Sequence, residues 1–175
     1  DSWAEDMAVT AVGSFGVTRE DYAAIDMPRP NDIAVFTGIF TNNLKLVDFV
    51  RQLATAFPKR TVWLQVRKSY ADLKRGKDFV ESSTQGIPNI EYTTDTILQV
   101  FRRTRYSFSD PSTAVIEALQ FGLASFMVDV SDIHETCILR DYSDLCLSTA
   151  EEAIKHIKNI EAGDWKYPRE RYSDI

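Results

Sequence analysis

The chain has 175 residues, 26 acidic against 20 basic side chains, a net charge of −6 and two cysteines. At roughly 100–200 residues per domain this is one domain, and a chain of ~150 residues buries ~70% of its unfolded surface, so it needs neither disulfides nor a metal to hold a core. No apolar run approaches the ~20 residues of a membrane span, the acidic balance argues against non-specific binding to nucleic acid, and Cys137 and Cys146 cannot form a disulfide framework or a four-cysteine zinc site.

The first six residues, Asp1-Ser2-Trp3-Ala4-Glu5-Asp6, have neither the basic nor the apolar region of a signal peptide. There is no initiating Met, and the expectation is a processed chain or a piece of something longer. Met7 to Gly13 has the pattern of a short strand, and Met27-Pro28-Arg29-Pro30-Asn31 has the composition of a linker. Ile33-Ala34-Val35-Phe36-Thr37-Gly38 is a short apolar run ending in Gly, which predicts a fully buried strand. Leu44 to Phe57 carries apolar residues at helical spacing, with Thr41 or Asn42 placed to cap and Pro58 to stop it. Thr61 to Val66 predicts a second strand, Tyr70 to Gln85 a polar helix, and Asn89 to Tyr92 a third strand. Thr94 is placed to cap a helix over Ile97, Leu98, Val100 and Phe101, and Tyr106-Ser107-Phe108 predicts a fourth strand.

Ser109-Asp110-Pro111-Ser112-Thr113 then opens a helix through Leu119. Asp110 suits its N-cap, Pro111 its first position and Gly122 its left-handed end. Ser125 to Val130 predicts a fifth strand and Leu145-Cys146-Leu147 a short sixth. Ser148 with Glu151 reads as a capping box for a last helix over Ile154, Ile157 and Ile160. Strands alternating with helices imply βαβ units, and apolar strands imply a sheet covered on both faces. The predicted fold is therefore α/β: a Rossmann-like three-layer α/β/α sandwich with a mostly parallel sheet of about six strands.

In such a sheet ligands bind beyond the carboxyl ends of the strands, near helix starts. Four loops qualify, those after the first, second, fourth and fifth strands, and the first three of these carry the stronger candidates. Ser109, Asp110, Ser112 and Thr113 cluster at a helix start, where free N–H groups and the helix dipole favour phosphate, and Glu117 one turn on is placed to accept from ribose hydroxyls. Arg67 and Lys68 put two cations past the second strand, suited to phosphate. Gly38 would let a ligand approach the backbone after the first strand. Each also has a plain structural reading, as cap, solvated charge or tight turn.

Other constellations are weaker. His134 follows the fifth strand in an Asp/His/Glu context without metal-ligand spacing, so no metal is expected. His156 is expected at the surface between Lys155 and Lys158, and Phe101 to Arg105 reads as a structural basic run. Neither G-x-G-x-x-G, a P-loop nor G-x-S-x-G occurs.

The run Ser109-Asp110-Pro111-Ser112-Thr113-Ala114-Val115-Ile116-Glu117-Ala118-Leu119-Gln120-Phe121-Gly122, followed by the strand Phe126-Met127-Val128-Asp129, resembles the donor-binding segment of glycosyltransferases of the GT-B fold. The resemblance implies donor phosphate at Ser112 and Thr113, ribose at Glu117, and phosphate charge met by Arg67 or Lys68. The donor nucleotide-sugar would be a substrate, and no cofactor is expected. Val9 to Val17 is similar to the strand and Gly-Ser turn ahead of the interdomain linker in that family, and Trp165 to Ile175 to the tail that crosses back to the other domain. The Glu-x₇-Glu pair of many retaining members is absent, Ser109 standing in the first position.

These features divide the chain into an interdomain segment and linker (1–31), a donor-binding domain (32–162) and a tail (163–175). They imply the donor half of a polysaccharide or glycoconjugate glycosyltransferase whose N-terminal acceptor domain is missing. The expected location is the cytoplasm, with peripheral membrane attachment left open. Two alternatives stand beside it: a flavodoxin-like interaction domain without catalysis, and a fragment of a nucleotide-sugar epimerase.

Overall fold

The computed structural model describes residues 30–37, 44–129 and 142–168. Gly38, His134, Cys137 and the segments 1–29 and 169–175 lie outside the described residues. Strands β1 (Ile33–Phe36), β2 (Val62–Gln65), β3 (Ile90–Thr93), β4 (Tyr106–Ser109), β5 (Ala124–Val128) and β6 (Cys146–Leu147) alternate with helices. The helices are α1 (Leu44–Ala56), α2 (Lys68–Ala71), α3 (Lys74–Thr84), α4 (Ile97–Phe101), α5 (Ala114–Gln120) and α6 (Ala150–Ala162). The sheet has the order β3-β2-β1-β4-β5-β6, and every described pairing is parallel. This is the predicted three-layer sandwich.

The period of two along β1 divides the core. Ile33 and Val35 join the larger cluster with Leu46, Phe49 and Leu53 of α1, Phe79 of α3 and Ile157 of α6. Ala34 and Phe36 face the other way, onto Val100 and Phe101 of α4 and Ala114 and Ala118 of α5. All four β1 residues are buried, because β1 is central and covered on both faces. Phe36 meets Phe101 edge to face at 5.3 Å, and on the opposite side Phe108 stacks on Phe126 at 5.5 Å.

The polar helix predicted over 70–85 is two helices. α2 ends at Ala71 and the chain turns through Asp72 and Leu73 before α3 begins. Gly76 makes that corner possible: a Cβ there would lie 2.0 Å from the Tyr70 carbonyl oxygen. The far end of α3 is closed by Arg51 of α1, whose Nη1 donates to the carbonyls of Ser82 at 3.1 Å and Gln85 at 2.8 Å.

The caps fall a little later than predicted. Thr96, not Thr94, opens α4, in a capping box with Gln99. Thr149, not Ser148, opens α6, and its reciprocal partner is Glu152. Thr149 is the last residue with extended backbone, so its hydroxyl is the one in reach of the first free N–H groups. Gly122 and Gly163 end their helices at φ 81° and 78°, a conformation that glycine adopts without a steric penalty.

At the amino edge of the sheet, polar groups pair with one another. Asp32 accepts from the Thr61 N–H at 3.1 Å and Trp63 Nε1 at 3.3 Å. The Asn89 amide donates to the carbonyls of Ala54, Phe57 and Arg60 at 3.0, 3.2 and 3.0 Å. Glu161 of α6 accepts from Arg60 at 2.6 Å and from the Tyr106 hydroxyl at 3.0 Å. The basic run before β4 is structural: Arg103 lies over the Trp63 ring at 3.7 Å with Asp95 at 2.8 Å, and Arg105 donates to Asn31.

Beyond Gly163, Trp165 and Tyr167 return to this domain's own sheet. β6 pairs with β5 only at Met127 and Val128. The Tyr167 hydroxyl supplies what β6 is too short to reach, donating to the Ser125 carbonyl at 2.5 Å and accepting from its N–H at 3.1 Å. His156, expected at the surface, is half-buried, its ring 4.6 Å from Trp165 and 5.3 Å from Phe126. Its spacing from the lysines predicted exposure; the returning Trp165 covers it.

Candidate functional site

All strands point the same way, so their carboxyl ends share one edge. The order reverses there: from β1 the chain proceeds to β2 and β3 on one side, then crosses to β4, β5 and β6 on the other. A reversal between neighbouring strands, here β1 and β4, is where open α/β sheets usually bind ligands, in a crevice beyond the strand ends. Thr37 begins one loop, its N–H and hydroxyl both directed to the Gln65 carbonyl at 3.3 and 3.4 Å. Ser109 and Asp110 begin the other.

The β4 loop is built differently from its sequence expectation. Asp110 is not the N-cap. Its N–H donates to the Phe36 carbonyl at 3.3 Å and so prolongs the ladder with β1, and the residue is only 4% exposed. α5 starts four residues later, at Ala114, so Pro111 is not its first residue either. Thr113 holds the N-cap position without a side-chain bond. The bond comes instead from Ser112, whose Oγ accepts from the Ala114 N–H at 3.1 Å. Ser109 Oγ donates to the Asp110 carbonyl at 2.7 Å and lies 3.2 Å from Ser112 Oγ. Ser109, Asp110, Ser112 and Thr113 thus form one turn, in which Thr113 carries the exposed hydroxyl. Glu117 is half-buried on α5, with no hydrogen bond or ion pair to its carboxylate among the described residues.

Arg67 and Lys68 are exposed at the start of α2, past the end of β2. One strand, β1, separates β2 from β4. At a spacing of ~4.8 Å per strand the two cations leave the sheet about 10 Å from the Ser109 turn. They share its edge without touching it.

Sequence reasoning did not single out a cleft of about 520 Å³ farther along this edge, between α1 and the start of α6. Lys45, Asp48, Gln52, Asp129, Thr149 and Glu151 are among its lining residues. The sequence places Asp129 in the Asp/His/Glu context after the fifth strand and Glu151 in a capping box; what joins them to α1 is the packing of α1 beside α6. Three carboxylates against one lysine make the cleft a poor host for phosphate. The crevice at β1 and β4, with Arg67 and Lys68 on its flank, is the better one. Among the described residues no group of His, Cys, Asp and Glu could hold a metal ion, and no helix is long and apolar enough to cross a membrane.

No protein family matches the sequence, and no curated protein does. Among solved structures, the chain is similar to UDP-GlcNAc 2-epimerase from Neisseria meningitidis bound to UDP-GlcNAc, with 13% sequence identity and a TM-score of 0.49. The match covers 89% of this chain but only 40% of that one. A likeness at that level does not bear on function.

Proposed function

We propose that this chain is the nucleotide-sugar-binding domain of a GT-B glycosyltransferase. The observation that carries the reading is the strand reversal between β1 and β4, at which the Ser109–Thr113 turn leaves the sheet. That turn begins the same segment that resembles the GT-B donor site. In this reading the donor phosphates lie over the crevice, with the exposed Thr113 hydroxyl as a hydrogen-bonding group and Arg67 or Lys68 as counter-charge. Glu117 accepts from the ribose hydroxyls. Fixed positive charge near the phosphates would stabilise the departing nucleotide as the sugar leaves. The acceptor and any general base belong to a second domain, so the chain alone binds donor and does not transfer sugar.

Thermal unfolding in the presence of UDP, GDP, CMP and their sugars tests this. A nucleotide at 100 times its Kd adds about 2.7 kcal/mol to stability. The shift is expected with one nucleotide family and is expected to vanish in Glu117→Gln and in Arg67→Ala/Lys68→Ala. No shift with any of them at millimolar concentration leaves the non-catalytic interaction domain as the reading.

A further inference from the structure

The corner between α2 and α3 breaks local stability rules at its helix start, and Asp78 and Glu81, four residues on from Lys74 and Lys77, make no ion pair with them among the described residues. Leu73 occupies the N-cap of α3 with no side-chain cap bond, and the first turn holds no acidic residue. Leucine is among the poorest N-caps. Lys74, Arg75 and Lys77 crowd the positive end of the helix dipole, where cations are unfavourable. Lys74 and Lys77 are exposed, without an ion pair or hydrogen bond among the described residues, and Arg75 lies 5.3 Å over the Tyr70 ring. Positions that violate local preference without a structural return are expected where function is selected over stability.

The composition of the corner says what it meets. Residues 67–78 hold five cations against Asp72 and Asp78, in a chain whose net charge is −6. Leu73 projects from their midst, 46% exposed, and Tyr92 of β3, which is 40% exposed, lies close enough to Asp72 to feel its charge. Gly76, seated against the Tyr70 carbonyl, fixes the corner so that Leu73 stands at its tip. Cations alone suit any polyanion; an apolar tip ringed by cations suits an anionic bilayer, where the leucine enters the headgroup layer and the lysines meet lipid phosphates.

We propose that the α2–α3 corner, Leu73 flanked by Lys74, Arg75 and Lys77, is a docking surface for an anionic lipid bilayer. Arg67 and Lys68 add to its charge; variants at Leu73, Lys74 and Lys77 leave them in place, so its failure and that of the nucleotide reading are distinguishable.

Co-sedimentation of the full chain tests it, with vesicles of phosphatidylcholine alone and with about 30 mol% phosphatidylserine. Binding is expected only to the anionic vesicles. Lys74→Glu/Lys77→Glu should lower partition at least about tenfold, since each cation near the surface contributes roughly a fivefold factor. Leu73→Ser should lower it several-fold while leaving binding to a short DNA duplex unchanged. Urea midpoints equal to the parent's show that the variants are folded. Should the double variant fail to fold, release of the parent chain by high salt replaces it as the charge readout. Equal binding to neutral vesicles, no binding to anionic ones, a Leu73→Ser variant that sediments like the parent, or tighter binding to the duplex than to vesicles would overturn the proposal.

Discussion

The two edges of one sheet are used in opposite ways. At the amino edge Asp32 accepts from Thr61, Asn89 donates to the carbonyls of Ala54 and Arg60, and Glu161 accepts from Arg60 and Tyr106, so that α1, β2, β4 and α6 are tied by polar bonds. At the carboxyl edge Arg67, Lys68 and Glu117 have no such partners among the described residues. Such bonds stabilise because most of the buried polar groups find a complement there, Arg60 Nη1 being the one that does not among these side chains. Open groups contribute little to stability and are free for something that arrives from solution. The difference separates residues that hold the fold from residues available to a ligand, without reference to any motif.

The largest expected effect tests the exception to that division. Gly76 lies on the carboxyl side yet is structural, because its missing Cβ makes room for the Tyr70 carbonyl. Gly76→Ala should destabilise by about 3 kcal/mol, since the obstacle is backbone and cannot swing away; a urea midpoint at the parent's value would show that the corner is pliable. Next comes Asn89→Ala at the amino edge. It removes one donor from each of three carbonyls, of which that of Phe57 keeps the Arg60 N–H at 3.0 Å, and should cost roughly 2 kcal/mol by the same measurement.

The smallest effects are those of pH, and they differ in sign of charge but not of slope. Burial pushes the Glu161 carboxyl up, but hydrogen bonds from Arg60 and Tyr106 and the charges of Arg60 and Arg105 outweigh it and hold the pKa below the ordinary value. Its contribution is complete above the unfolded pKa of ~4.3 and is lost as pH falls through the folded one. Burial pushes the His156 imidazole down, with Lys155 adding to it and Glu152 and Asp144 opposing. The unfolded chain therefore takes up this proton first, and stability falls as pH drops below ~6.5 toward the folded pKa. Glu161→Gln should flatten the lower step of a stability–pH curve and His156→Phe the upper one. Unchanged curves would mean that neither environment survives in solution.

Much of the fold was legible because it rests on short-range pattern. The strands announced themselves as apolar runs, and Gly122 announced the end of α5 by its freedom to adopt positive φ. Helix starts were legible only to within a few residues. Several hydroxyls compete to cap, and the winner depends on where the extended backbone ends: Asp110 lost the position because its N–H still pairs with Phe36 in the sheet. Partners distant in sequence left no trace. Arg51 closing α3, Tyr167 completing the edge of β5 and Trp165 covering His156 each join segments whose proximity is created by the fold.

The candidate site divides along the same line. Which loops could hold a ligand is local information, since hydroxyls, cations and a carboxylate gather where strands end and helices begin. How those loops relate is not. Strand order is a long-range property, and no local pattern reveals that β1 sits between β2 and β4. That order places the reversal, and with it the crevice, between Thr37 and the Ser109 turn. The corner at Leu73 is the local counterpart: it is set within 67–77 by Gly76 against the Tyr70 carbonyl, and leaves Leu73, Lys74 and Lys77 exposed.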